Sequence, residues 1–192
     1  MGARKVLVAI FDAKADVEEA VSRLSAAEVT LDSVSVVGRS HHVDEQVGGT
    51  FRTPSGLTRY FGRDEGFWNR LWELLPGAAF LWVPGVGTLV FAGTLAAAVI
   101  EHARQDSPGD AGNALRSALL GLGVPDDFGS TCESALRGDR VLFVVRTPVF
   151  QAARTYALLE QSRALEARAY LEPRLADGEP EIKRRRRGAA VG

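Results

Sequence analysis

Leu74 to Ile100 reads LLPGAAFLWVPGVGTLVFAGTLAAAVI, 27 positions without a charged side chain. A membrane-spanning helix needs only about 20 such residues. Pro76, Pro84, Gly85, Gly87 and Gly93 interrupt the run, however, and Pro84-Gly85-Val86-Gly87 is a turn or helix-break signal near its middle. The two pieces have about ten and thirteen residues, so as helices they reach about 15 to 20 Å, short of the roughly 30 Å hydrocarbon core.

The flanking sequence sets a second constraint. Val6 to Phe11 is a short apolar run suited to a strand buried on both faces, and Val34 to Val37 has strand character closed by Gly38. Between them Val17, Ala20, Val21, Leu24 and Ala27 form one apolar stripe of a helix. Strand, helix and strand make a βαβ unit, which places both strands in one sheet, adjacent or separated by a third.

A third buried strand is expected at residues 140–146, beyond the charge-free run. None of the three buries itself alone, so if they share a sheet the two ends of the run lie on the same side of any membrane. The expectation is an apolar helical hairpin inserted at 65–104. It either dips into one leaflet, packs against copies of the chain, or folds back as ordinary core. Small residues pairing Gly93 with Ala97, Ala92 with Ala96 and Thr94 with Ala98 permit close helix contact. The residues expected to meet lipid or another copy are Trp68, Trp72, Phe80, Leu81, Trp82, Pro84, Gly85, Gly87, Phe91, Gly93 and Ala97.

The remaining segments are read more briefly. Residues 39–64 lack a sustained period and are expected to be a surface loop. Phe67, Trp68, Leu71 and Trp72 begin a helix, and Ala114, Leu115, Ala118, Leu119 and Leu122 form another. Gly123-Val124-Pro125 breaks it, and Asp126 and Asp127 favour the start of a short helix ending near Gly138. A last helix is expected from Pro148 to Leu171, with Val149, Ala152, Ala153, Tyr156 and Leu159 on its inner face. The fold class expected is α/β (α+β): a small βαβ-type sheet of three or four strands in one domain over 1–172, followed by a disordered basic tail at 173–192.

Composition narrows function by exclusion. With 46% apolar and 24% charged residues the chain has ordinary globular usage, and a net charge of -1 provides no global field for nucleic acid. Cys132 is the only cysteine, which excludes an intramolecular disulfide framework and fits a reducing cytoplasm. The apolar run after Arg4 and Lys5 is too short for a signal-peptide core, so a cytoplasmic location is expected, with peripheral contact to the inner face of the cell membrane.

Three places resemble a family of small bacterial proteins described as general stress or low-temperature-induced proteins. They are the opening VLVAIFDAKADVEEAVSRL, the insert VPGVGTLVFAGTLAAAV, and the closing GLGVPDDFGSTCESALRGDRVLFVV. The resemblance covers about residues 5–147 and implies a stress-linked protein associated with membranes. That family has no established catalytic residues to carry over.

The search for chemistry in the residues themselves is as spare. His41 and His42, with Asp44 and Glu45, alone have metal-ligand residue types, but adjacent histidines on an extended segment point to opposite faces. Cys132 has no basic neighbour in sequence, and no Gly-Lys-Ser/Thr follows the glycines at 85, 87 and 93. No enzyme activity, cofactor or metal is expected. Lys183, Arg184, Arg185, Arg186 and Arg187 are a second anchor for an anionic surface, at roughly 1 kcal/mol each. The sequence thus predicts a non-enzymatic, stress-linked homo-oligomer or membrane-surface protein. The alternative is a soluble regulatory or ligand-binding module with the insert packed as core.

Overall fold

The computed structural model describes residues 2–40, 49–52, 58–105 and 111–173. Its elements, in chain order, are β1 (Arg4–Phe11), α1 (Lys14–Ala26), β2 (Val34–Arg39), β3 (Gly49–Arg52), β4 (Thr58–Phe61), α2 (Glu65–Leu74), β5 (Ala78–Val83), β6 (Gly87–Gly93), α3 (Leu95–Gln105), α4 (Ala111–Gly121), α5 (Asp126–Arg137), β7 (Val141–Pro148), α6 (Ala152–Gln161) and β8 (Glu166–Leu171). Six strands form one sheet in the order β5-β6-β2-β7-β1-β8, and β3 pairs with β4 apart from it.

β7 runs antiparallel to both β1 and β2, so those two strands are parallel with β7 between them. The units β1-α1-β2 and β7-α6-β8, in the spatial order β8-β1-β7-β2, make a split βαβ arrangement. Everything from residue 40 to 140 is an insertion between its halves, and β6 and β5 continue the sheet beyond β2. The class is mixed α and β.

Alternation along each strand divides the core in two. Val6, Val8 and Ile10 of β1 face Leu115, Leu119, Phe128 and Leu136 from α4 and α5, together with Val99 of α3. Leu7, Ala9 and Phe11 face Val17, Val21 and Leu24 of α1, Leu159 of α6, and Trp68 and Leu71 of α2. A sheet covered on both faces needs strands apolar at nearly every position, which is why β1 and β7 read as unbroken runs.

The charge-free stretch takes a different form from the helical hairpin expected at 65–104. Leu74 closes α2, residues 78–83 and 87–93 are the two strands of a β-hairpin, and only residues 95–105 are helical beyond it. Pro84 to Val86 is its turn, closed by the Val86 amide donating to the Val83 carbonyl at 3.1 Å. The sheet accordingly has six strands rather than three or four. Apolar content had the same cause in both readings: β6 lies inside the sheet with both faces covered, so Leu89, Val90, Phe91 and Ala92 are all buried. Among the described residues no helix is long and apolar enough to cross a membrane.

Gly93 ends β6 at φ +103, and a Cβ there would lie 2.2 Å from the Val34 carbonyl oxygen and 2.6 Å from Ser35 Cα. It is therefore a point where two backbones touch, not half of a helix-packing pair with Ala97. Gly38 has a related role, since a Cβ on it would come within 2.9 Å of Trp68 Cζ2.

Two further expectations change. Within 39–64, the described residues include the β3–β4 hairpin. The expected helix from 148 to 171 stops at Gln161, Arg163 reverses the chain at φ 64, and β8 returns along β1. The inner face of α6 is formed by Ala152, Thr155 and Leu159, while Ala153 is exposed.

Candidate functional site

β5 is the outermost strand of the sheet, and among the described residues its outer side pairs with nothing. An edge strand presents a row of unpaired amides and carbonyls and is a template for another strand unless charge, proline or a bulge prevents it. From Leu74 through Ile100 there is no charge to prevent it. Pro76 and Pro84 lie beyond the ends of β5.

The strand is held firmly from behind. Tyr60, Trp72 and Phe80 form a triad with ring centroids 5.9 Å apart in each pair, Tyr60 stacked on Phe80 and Trp72 edge-on to both. Trp72 Nε1 donates to the Phe91 carbonyl at 3.1 Å, tying α2 to β6. Asn69 joins α2 to β4 by accepting from the Tyr60 amide and donating to the Tyr60 carbonyl. The Tyr60 hydroxyl meets Ser40 Oγ at 3.0 Å. On the other face Ala79 and Val83 are buried in the cluster containing α3 and α4.

Residues expected from the sequence to meet lipid or another copy are distributed unevenly over this region. Trp68, Phe91 and Gly93 are buried, so they do not reach the surface. Trp72, Phe80, Leu81 and Gly87 are half-buried, and Pro84, Gly85 and Ala97 are exposed. Trp82 is 61% exposed, on the same face of β5 as Phe80. The fold thus brings Phe80, Leu81, Trp82 and Pro84 together along one edge. Tyr60 and Asn69, which support that edge, had no signal of their own: one falls in the presumed loop and the other reads as a polar helix position.

The opposite edge, β8, carries Glu166 and Arg168, whose side chains pair at 2.6 Å, and the Arg168 guanidinium lies 4.5 Å from the centroid of the Phe128 ring. That edge is marked by charge. A separate apolar groove of about 530 Å³ lies between α1 and α2, lined by Val21, Ala26, Leu31, Leu71 and Leu74, with the Glu18–Arg70 ion pair also in its wall. Leu74 is 53% exposed there.

Among the described residues no group of His, Cys, Asp and Glu side chains is arranged to hold a metal ion. Cys132 is buried in α5, and desolvation, with Glu166 adding to it, pushes its thiol up to about 12. At neutral pH it is a protonated core side chain. His102 sits half-buried on α3. The pair His41 and His42, with Asp44 and Glu45, and the basic run Lys183 to Arg187 lie outside the described residues. No family model, curated protein or solved structure matches the chain.

Proposed function

We propose that this is a non-enzymatic protein that self-associates through the outer edge of β5, in the stress-linked setting implied by the resemblance noted in its sequence. The observation carrying this reading is the contrast between the two edges: β8 displays Glu166 and Arg168, whereas β5 has no charge and exposes Trp82. A second copy is the occupant whose chemistry matches, because an uncharged strand is complementary to itself. Antiparallel pairing about a twofold axis through Leu81 would set Phe80 opposite Trp82 of the partner copy twice, an aromatic pairing that strengthens cross-strand contact.

Light scattering on the eluting full-length chain tests this. The wild type is expected to run as a dimer or larger species, and Trp82→Lys and Ala78→Lys, both at exposed positions, to run as monomers with unchanged circular dichroism. A monomeric wild type overturns the proposal. If that monomer sediments with anionic vesicles, the membrane surface is the occupant instead.

A second reading, a soluble ligand-binding module, draws on the insert's packing as core and on the groove between α1 and α2. Native mass spectrometry detecting a co-purified apolar molecule, lost in Leu74→Glu at the exposed rim of the groove, favours it.

A further inference from the structure

The basic run Lys183 to Arg187, which self-association through β5 does not use, is attached to the fold at a defined corner. The described chain reaches Pro173, and just before it the Glu172 amide donates to the Arg4 carbonyl at 3.0 Å. One residue earlier than Arg4, the Ala3 carbonyl accepts from the Val149 amide at 3.2 Å. The passage from β7 into α6 and the exit toward the basic run therefore meet at the start of β1. We infer that this corner docks on an anionic lipid bilayer, with Phe150 entering the apolar layer and the basic run held against the headgroups.

The apolar part of the corner is open to solvent. Phe150 is 82% exposed, the highest value among the large hydrophobic side chains of the described residues. Val149 before it is 42% exposed and Leu171 is 65% exposed. Leu171 pairs with Lys5, and alternation puts both on the face of the sheet that carries α6, the helix into which Phe150 leads. By the strand registers Trp82 lies at the opposite end of the sheet, so docking here leaves the β5 edge open for a second copy.

Charge selects the partner. Arg4 opens β1 and Arg154 lies on α6 four positions after Phe150, both exposed. Glu28 and Asp32 lie at the same end, and Glu172 forms an ion pair with Arg146. The folded charges nearly balance, so the surplus comes from Lys183 to Arg187, an uninterrupted basic run that begins ten positions beyond Pro173, a reach of at most about 35 Å. An apolar insertion and a polybasic segment are each weak membrane anchors, and together they make a stable one. Nucleic acid would call for stacking rings on a basic folded face, whereas this corner presents one ring beside carboxylates.

Co-sedimentation of the full-length chain with vesicles of phosphatidylglycerol and phosphatidylcholine in equal parts tests this, with pure phosphatidylcholine vesicles and a double-stranded oligonucleotide as comparisons. Binding to the anionic vesicles is expected to be at least about tenfold tighter than to neutral ones, and to fall at high salt. Phe150→Ser is expected to weaken it at least about fivefold while melting like the wild type, because the side chain removed is exposed. The same variant is expected to elute as the wild type does in light scattering, which separates this surface from the β5 edge. Combining Lys183→Glu, Arg185→Glu and Arg187→Glu is expected to weaken vesicle binding at least about tenfold. Phe150→Trp is expected to add a blue-shifted emission component on anionic vesicles that the wild type lacks. No sedimentation with anionic vesicles overturns the proposal, as does unchanged binding by Phe150→Ser or sedimentation of Phe150→Trp without the shift. Tighter binding to the oligonucleotide overturns it in favour of nucleic acid.

Discussion

The side chain of Asn69 lies against the backbone of Tyr60 as a neighbouring strand would: Oδ1 accepts from the Tyr60 amide at 2.8 Å, and Nδ2 donates to the Tyr60 carbonyl at 3.0 Å. One helical side chain thereby completes the hydrogen bonding of a buried strand residue. It also fixes the ring that stacks on Phe80 behind the open edge.

Asn69→Ala is expected to leave both backbone groups of Tyr60 unpaired in a buried setting, at a cost of about 2 to 5 kcal/mol. Urea denaturation measures it. If the edge mediates self-association, the same variant is expected to lower the oligomer fraction under conditions where it remains folded.

Gly93→Ala meets backbone atoms rather than a side chain able to move away, at a φ of +103 where an L side chain is strained. The expected loss is about 3 kcal/mol or more, enough to unfold a marginally stable domain. Ala97→Gly, on the exposed face of α3, is the comparison: it should cost only about 1 kcal/mol. Equal losses for the two would contradict the close approach at Gly93.

Cys132 gives a pH dependence whose sign is fixed. Its thiol ionises near 9.0 when unfolded and is pushed up to about 12 when folded, so below 9 both states bind the proton and stability is unaffected. As pH rises from 9 toward 12 only the unfolded state loses its proton, and folding is weakened by up to about 1.4 kcal/mol per pH unit. Alkaline unfolding curves of wild type and Cys132→Ala should diverge in that window, the wild type being the steeper. Below it, the native thiol should react with a disulfide reagent no faster than the chain opens.

Glu28 follows α1 at φ 60, a left-handed conformation that glycine adopts without penalty. Glu28→Gly is expected to raise the melting temperature, by removing about 1 kcal/mol of strain. Scanning calorimetry of the variant beside the wild type reads the shift, and an unchanged or lowered midpoint would contradict strain at this position.

The sequence by itself determined the strands at β1, β2 and β7, because VLVAIF and VLFVV are apolar on both faces and only a covered strand requires that. It determined α1 as well, where Val17, Ala20, Val21 and Leu24 recur at helical spacing and all are buried. It placed a chain reversal at Pro84 to Gly87, where the β5–β6 turn lies.

Tertiary structure alone decided what the charge-free stretch became. Uninterrupted apolar sequence is compatible with a helix in lipid, a helix in protein or a strand inside a sheet, and the choice depended on β2 offering its free side to β6 across Val36 and Ala92. The same holds at the other end, where Glu166 to Leu171 suits a helix locally but pairs with β1 because that edge stood open. The edge was equally out of reach, since its backing is made where segments distant in sequence meet, Tyr60 with Asn69 and Phe80.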